Sequence, residues 1–335
     1  SGIRLDAFAG TLNATIDSTV VLGDTSVLNG AFDRMDAFYS VAGGTGQINT
    51  TVSGTSLNAL TRSGNEFVGW HVGVGGITEE TGINNITVMN ALIDAECVLK
   101  FHSGNVGIPA ASSLTAIVQS SELIARLPTA SPLDGVRATA EGGSSLDLSI
   151  IDSEYRFEGI VDGTTPARNW LNAEAVDSAS LTLLIENSMA RNPMAGFADF
   201  ISVDAADSGT VAATIRDTIL GDTTGQAIRI EALNGSNVSL DVVQSTLANN
   251  GTGLIMVEAF DQAVVSSTLT SNSLSNASSR AITMLAAAIT SADNARVGAT
   301  LTSNTFTTPT GALQATSDAN GGIAEFRLNM TDNAS

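Results

Sequence analysis

Four five-residue windows constrain this chain more than any other feature. Ile201-Ser202-Val203-Asp204-Ala205, Ile228-Arg229-Ile230-Glu231-Ala232, Ile255-Met256-Val257-Glu258-Ala259 and Ile282-Thr283-Met284-Leu285-Ala286 each end in alanine, with apolar residues two and four positions before it. Their last residues lie 27 apart, three times in succession. A fixed period of this length marks a repeat architecture, in which each unit buries its apolar face only by stacking on its neighbours. The same pattern recurs at 3–7, 33–37, 70–74, 106–110, 136–140, 171–175 and 313–317. The position two before the end is apolar in all eleven windows, and the position four before it in ten, Asp33 being the exception.

After a short polar gap each window is followed by a second alternating segment, as at 211–215, 238–242, 297–301 and 323–330. A third element sets a small polar residue two positions before a large apolar one. The pairs are Ser18 with Val20, Thr55 with Leu57, Asn90 with Leu92, Ser121 with Leu123, Ser153 with Tyr155, Asn187 with Met189, Asp217 with Ile219, Ser245 with Leu247, Asn272 with Leu274 and Asn304 with Phe306. Period-two segments this short are strands, and no stretch keeps a helical period long enough for a helix. A leucine-rich repeat wants one strand per repeat, a left-handed hexapeptide helix a period near ~18, and a propeller blade about 40 residues or more with an aromatic signature. The expectation is an all-β fold, a right-handed parallel β-helix of about eleven coils with 27–37 residues per coil. Its hand follows from the crossover rule for parallel strands. A single domain over 1–335 is expected, its coils anchored at Ala7, Ala37, Val74, Ala110, Ala140, Ala175, Ala205, Ala232, Ala259, Ala286 and Ser317. The excess length of the longer coils is expected in turns at 40–47, 75–82, 127–133 and 162–168. All lie in the first half, where binding should gather because loops carry function.

The arrangement resembles the right-handed parallel β-helix superfamily of pectate-lyase-like enzymes, autotransporter passengers, phage tailspikes and surface filaments. The resemblance covers nearly the whole chain and rests on architecture. The recurrent Ser and Asn of the third element resemble the internal polar ladders of that fold. The Gly-Gly-Ile stretches at Gly75 and Gly321 resemble polymorphic outer-membrane-protein repeats, without their Phe-x-x-Asn partner. In pectate-lyase-like enzymes the outer face of the first strands carries the active site.

On that face, the position one before each window's end reads Asp6, Asp36, Gly73, Pro109, Thr139, Glu174, Asp204, Glu231, Glu258, Leu285 and Thr316. The position three before it reads Arg4, Arg34, His71, Gly107, Arg137, Asn172, Ser202, Arg229, Met256, Thr283 and Gln314. Glu174, Asp204, Glu231 and Glu258 fall on four successive coils, about 5 Å apart in backbone spacing. Carboxylates so close repel and rise in pKa unless a cation intervenes. The expectation is a solvated acidic face with screened repulsion and no cofactor; the alternative is calcium, which takes several oxygens, held by these four carboxylates. No catalytic set emerges. The paired Asp, His-Gly and basic dipeptide of polygalacturonase-like enzymes are missing, and His71 and His102 are the only histidines. His71 reads as a surface polar residue, and Trp170 is expected to face outward.

Charge then excludes whole classes. The net charge is −20 and Lys100 is the only lysine, so the basic patch that nucleic-acid binding needs is not available. No run of ~18 apolar residues could span a bilayer. Aromatics are 4 %, leaving few rings to stack on sugars. Cys97 is the single cysteine and reads as a buried thiol. Nine Asn-x-Ser/Thr sequons, at Asn13, Asn49, Asn85 and six later positions, are glycan acceptors where they fall in turns. A first residue Ser1 is expected of a processed or trimmed chain. The function expected is that of an extracellular or cell-surface structural or adhesive protein. The alternatives are a polysaccharide-active lyase or hydrolase and a tailspike-type receptor binder. The expected partners are surface glycans and a second copy joined end to end, with 3–7 packing on the final coil.

Overall fold

In a computed structural model the described residues are 3–22, 36–59, 72–78, 80–95, 97–104, 111–126, 134–158, 169–191, 199–221, 225–248, 252–276, 279–288, 290, 292–309 and 311–334. Among them every named element is a strand and every strand pairing is parallel. The chain is a parallel β-helix. A typical turn carries a first strand Leu171–Ala175, a second Ser180–Glu186 and a third Met189–Arg191, each pairing with its counterparts one turn before and after.

Three separate strands occur in eight turns, the first built from Val72–Thr78, Ile83–Met89 and Leu92–Ala95 and the last from Ile282–Ala288, Asn294–Thr302 and Thr305–Thr307. That is fewer than the eleven coils expected. In the two turns before them the first and second strands run together as Ile3–Asp17 and Asp36–Ser53. After the eighth the chain adds Leu313–Ala319 and Ile323–Thr331, with a bridge from Ala334 to Thr305 in place of a third strand. The fused strands also join the first and second ladders into one sheet of 20 strands, beside a third ladder of 10.

The first ladder aligns Ile3, Phe38, Val74, Leu99, Val136, Leu171, Ile201, Ile228, Ile255, Ile282 and Leu313. This corrects the anchors at Ala37, Val74 and Ala110: the residues that match Ala140 in those turns are Ala42, Thr78 and Ser103. The shortest interval is the 25 residues between Thr78 and Ser103. Segment 40–47 is strand interior, and 75–78 ends a strand, so neither is a protruding turn. The expected turns 127–133 and 162–168, and the windows at 33 and 70–71 and 106–110, lie outside the described residues. The misreading has a physical source. In these turns the inward positions carry Ser40, Gly76, Thr78 and Ser103, all buried where later turns carry aliphatic side chains.

Inward columns of the second ladder build the rest of the core, as in Leu146–Leu181–Val211–Val238–Val265–Val297. β-Branched and leucine side chains suit this lattice because each inward position packs on its own kind one turn away, at ~4.8 Å. The turn into the third ladder repeats one device. A residue of positive φ comes first, among them Ser18, Asn90, Asp152, Asn187, Asp217 and Ser303. The next residue points inward and hydrogen-bonds along the stack. Ser121 N donates to Ser153 Oγ (3.2 Å), Ser245 N to Asn272 Oδ1 (2.8 Å), Asn272 N to Asn304 Oδ1 (2.9 Å) and Asn304 N to Asn333 Oδ1 (2.9 Å). In four turns the expected pair is therefore one residue early. The laddered residues are Thr19, Ala91, Ser188 and Thr218, and the inward apolar ones Val21, Ile93, Ala190 and Leu220.

Candidate functional site: the outer face of the first ladder

Alternation sends the residues between the inward ones to the outer face. Glu174, Asp204, Glu231 and Glu258 stand opposite one another on successive turns, as expected. The column is partly solvated, with the Glu174 side chain 35 % exposed and that of Glu231 26 %. Glu258 is buried at 8 % exposure, and the Ser202 beside Asp204 at 2 %. Arg229 reaches both Glu231 and Glu258, the latter at 3.2 Å, and Arg137 stands 3.9 Å from Glu174. Among the described residues the close partner of Asp204 is a hydroxyl, Ser202 Oγ at 3.1 Å. Burial pushes its pKa up to about 6, against the pull of Ser202 and Arg229, with Glu231 and Glu174 adding to the rise. Burial also raises Glu258, opposed by Arg229. Asp199, where the chain enters this ladder, rises by burial although Gln226 N donates to it at 2.8 Å. Among the described residues no three His, Cys, Asp or Glu side chains group as a metal site.

The corrected register changes what lies on the N-terminal side of this column. The turn before Arg137 and Thr139 contributes Lys100 and His102, not Gly107 and Pro109. The turn before that contributes Gly75 and Ile77. His102 Nε2 lies 2.8 Å from Gly104 O and 3.4 Å from Glu141 Oε2. The only lysine, a histidine, Arg137, Glu141 and Glu174 thus occupy neighbouring places on one face. Sequence reasoning missed this because 106–110 mimics an anchor window. The usable signal was Leu99-x-Phe101-x-Ser103, whose polar end matches the accepted window ending at Ser317.

Two further expectations resolve. Trp170 faces inward, buried at 1 %, with its ring centroid 5.1 Å from that of Tyr155. Gly135 makes room for this pair, since a Cβ there would stand 2.3 Å from Tyr155 Oη. Cys97 is a buried thiol outside any disulfide, its Sγ donating to Leu99 O at 3.3 Å. On the outer face of the second ladder, the sequon residues Asn13, Asn49 and Asn85 form one column, Asn49 Nδ2 donating to Asn13 Oδ1 (2.8 Å) and Asn85 Nδ2 to Asn49 Oδ1 (2.9 Å). No helix among the described residues is long and apolar enough to cross a membrane.

No family model matches the chain, and no curated protein matches it. Three solved structures are distantly similar to it. The A-module of the Azotobacter vinelandii mannuronan C-5 epimerase AlgE4 is 11 % identical, with 95 % of this chain and 91 % of that one covered and a TM-score of 0.29. The A-module of AlgE6 from the same organism is 11 % identical, with 97 % and 91 % covered and a TM-score of 0.28. The Streptococcus pneumoniae surface protein and adhesin PfbA is 9 % identical, with 91 % and 92 % covered and a TM-score of 0.25.

Proposed function

We propose that this chain is the rod of an extracellular, surface-borne protein whose role is structural or adhesive, with copies joined end to end. The observation that supports the reading is the continuity of the columns, whose side chains stay partly or largely exposed in the two outermost turns of this structure. In the first turn Ile3, Leu5, Leu12 and Ile16 are only partly buried. In the last, Ile323, Leu328 and Met330 are 58 %, 46 % and 47 % exposed. Stacking the last turn of one copy on the first turn of another would continue three second-ladder columns, Phe326 on Leu12, Leu328 on Ala14 and Met330 on Ile16. It would also set Asn333 beside Thr19 in the polar ladder. Such a head-to-tail contact propagates, because each addition regenerates the same end, and it covers the open strand edges. Sedimentation velocity over a wide concentration range tests it. The mass should grow with concentration in the parent and stay monomeric in Leu328→Glu/Met330→Glu. A parent that remains monomeric at its highest concentration overturns end-to-end joining.

A polysaccharide-active enzyme is the second reading, and one observation favours it: the gathering of Lys100, His102, Arg137 and Glu141 on the outer face of the first ladder.

A further inference from the structure

We propose that the outer face of the second ladder in the last three turns is an ice-binding surface, formed by Thr268, Thr270, Thr300, Thr302, Asn329 and Thr331. The inference goes beyond the structural reading and does not depend on end-to-end joining.

A short triplet recurs in these turns. It reads Thr268-Leu269-Thr270, Thr300-Leu301-Thr302 and Asn329-Met330-Thr331 in the second ladder, and Ser273-Leu274-Ser275 and Thr305-Phe306-Thr307 in the third. Alternation turns the middle residue inward, and Leu269, Leu274, Leu301 and Phe306 are buried. The polar residues on either side of it face out. Thr268, Thr300 and Asn329 stand in one column, and Thr270, Thr302 and Thr331 in a second beside it. Together they make a net with repeats of ~4.8 Å along the rod and roughly 6.6 Å along the strand. Ser273 with Thr305, and Ser275 with Thr307, carry the same net onto the third ladder.

Among the described residues, none of these ten side chains has a hydrogen-bond partner within the protein. Hydroxyls elsewhere are taken: Ser121, Ser153, Thr218 and Ser245 each donate to a backbone carbonyl. The net also holds no charge, in a chain of net charge −20. One turn earlier Asp241 and Val243 occupy its two columns and end it. The charged side chains of the same strands, Arg296, Glu325 and Arg327, precede the net and are paired, Arg327 with Glu325 at 2.8 Å and Arg296 with Glu325 at 3.5 Å. The net is stiff as well. Threonine is restricted at χ1, and the Asn ladder pins the backbone beneath it. Asn304 Nδ2 donates to Leu269 O and Asn333 Nδ2 to Leu301 O, each at 2.8 Å.

These properties suit ordered water. A charge organises water around itself, and a mobile side chain blurs the positions of its neighbours; a fixed threonine does neither. Its hydroxyl bonds one water directly. Its methyl cannot, so the waters over it bond to one another. Repeated at constant spacing, such water is a patch of lattice, with repeats of the size found between oxygen rows in ice. That patch can join the surface of a growing crystal. A sugar is less well served, because the face offers no aromatic ring to stack on and no enclosing pocket.

The test grows an ice crystal slowly from a solution of the full chain and assays protein in the ice and in the remaining liquid, with thermal hysteresis as a second readout. The parent should be enriched in the ice and hold the freezing point below the melting point. Thr270→Lys/Thr302→Lys puts charge into the net and should lose both effects while keeping the parent's circular dichroism melt. If that double variant does not fold, Thr302→Lys alone is read in its place. Ser180→Lys, on the same ladder three turns before Val264, should behave as the parent does. A parent excluded from the ice, binding that survives lysine in a folded variant, or an equal loss in Ser180→Lys overturns the proposal.

Discussion

Residues 171–288 and residues 36–104 occupy the same lattice and are made of different material. In the later turns every inward position of the first ladder is apolar, from Leu171, Ala173 and Ala175 through Ile282, Met284 and Ala286. In the earlier turns Ser40, Thr78 and Ser103 hold those positions, and Asn84 replaces a leucine or valine in the second ladder. These polar groups are buried but satisfied. Asn84 Nδ2 donates to Ser40 Oγ at 2.8 Å and to Ile77 O at 3.3 Å, and the Thr78 and Ser103 hydroxyls meet at 2.7 Å. An aliphatic column fixes register by burial, because a slip of one residue turns the whole set outward. A polar column fixes it by hydrogen bonds, each of which must be made by one particular partner. The lattice accepts either, and Lys100 and His102 stand on the outer face at the end of the polar stretch.

The sharpest way to break this comparison is to put a charge into the aliphatic region. Val257 is fully buried between Ile230 and Met284. Val257→Asp buries a carboxylate with no partner, at a cost above about 4 kcal/mol. Circular dichroism melts should lose their cooperative transition; an unchanged melt would mean that this column does not carry the fold.

The next effect belongs to the polar region. Asn84→Leu strands Ser40 Oγ and Ile77 O, at a cost of about 2–3 kcal/mol by denaturant titration. Adding Ser40→Ala to Asn84→Leu should restore part of that loss, since both polar partners are then gone. A double variant as unstable as the summed single ones would show that the pair does not set register.

The smallest effect concerns the acidic column, and its sign is opposite to that of an ordinary paired carboxylate. Asp204 titrates near 6 in the folded chain against 3.8 for the free side chain. Between those values the folded state binds more protons than the unfolded one, so stability falls as pH rises through the window and levels off above about 6. The charged form costs about 2–3 kcal/mol at neutral pH. Asp204→Asn should raise the Tm at pH 7 and flatten the dependence between pH 4 and 7. Equal pH profiles for parent and variant would remove Asp204 as the source. The parent and a double variant test the calcium alternative. A bound cation raises the Tm of the parent by linkage, and the shift disappears in Asp204→Asn/Glu174→Gln.

How far the sequence could be read follows the same division. The windows ending at Ala140, Ala175, Ala205, Ala232, Ala259 and Ala286 were legible because aliphatic alternation and a near-constant spacing reinforce each other. The turns through Ala42, Thr78 and Ser103 were not, because Ser40 and Gly76 erase the alternation while 33–37, 70–74 and 106–110 imitate it. The third ladder was misread by one residue at Ser18, Asn90, Asn187 and Asp217, since the same small polar types suit the positive-φ turn and the ladder position after it. The acidic column survived because it lies in the regular half. Lys100 and His102 were lost with the register of their turn.

The hydrogen bonds between turns run along the rod, and this sets how the molecule yields to force. A pull on its two ends loads the ladders in series, so the end turn peels before its neighbour is strained. Where turns repeat every 27 residues, as from Ala205 to Ala232 to Ala259, each release lengthens the chain by about 90 Å at full extension. Under a constant pulling rate the regular half would give evenly spaced rips, and the polar half uneven ones. A rod of this kind meets sudden load by paying out chain one turn at a time.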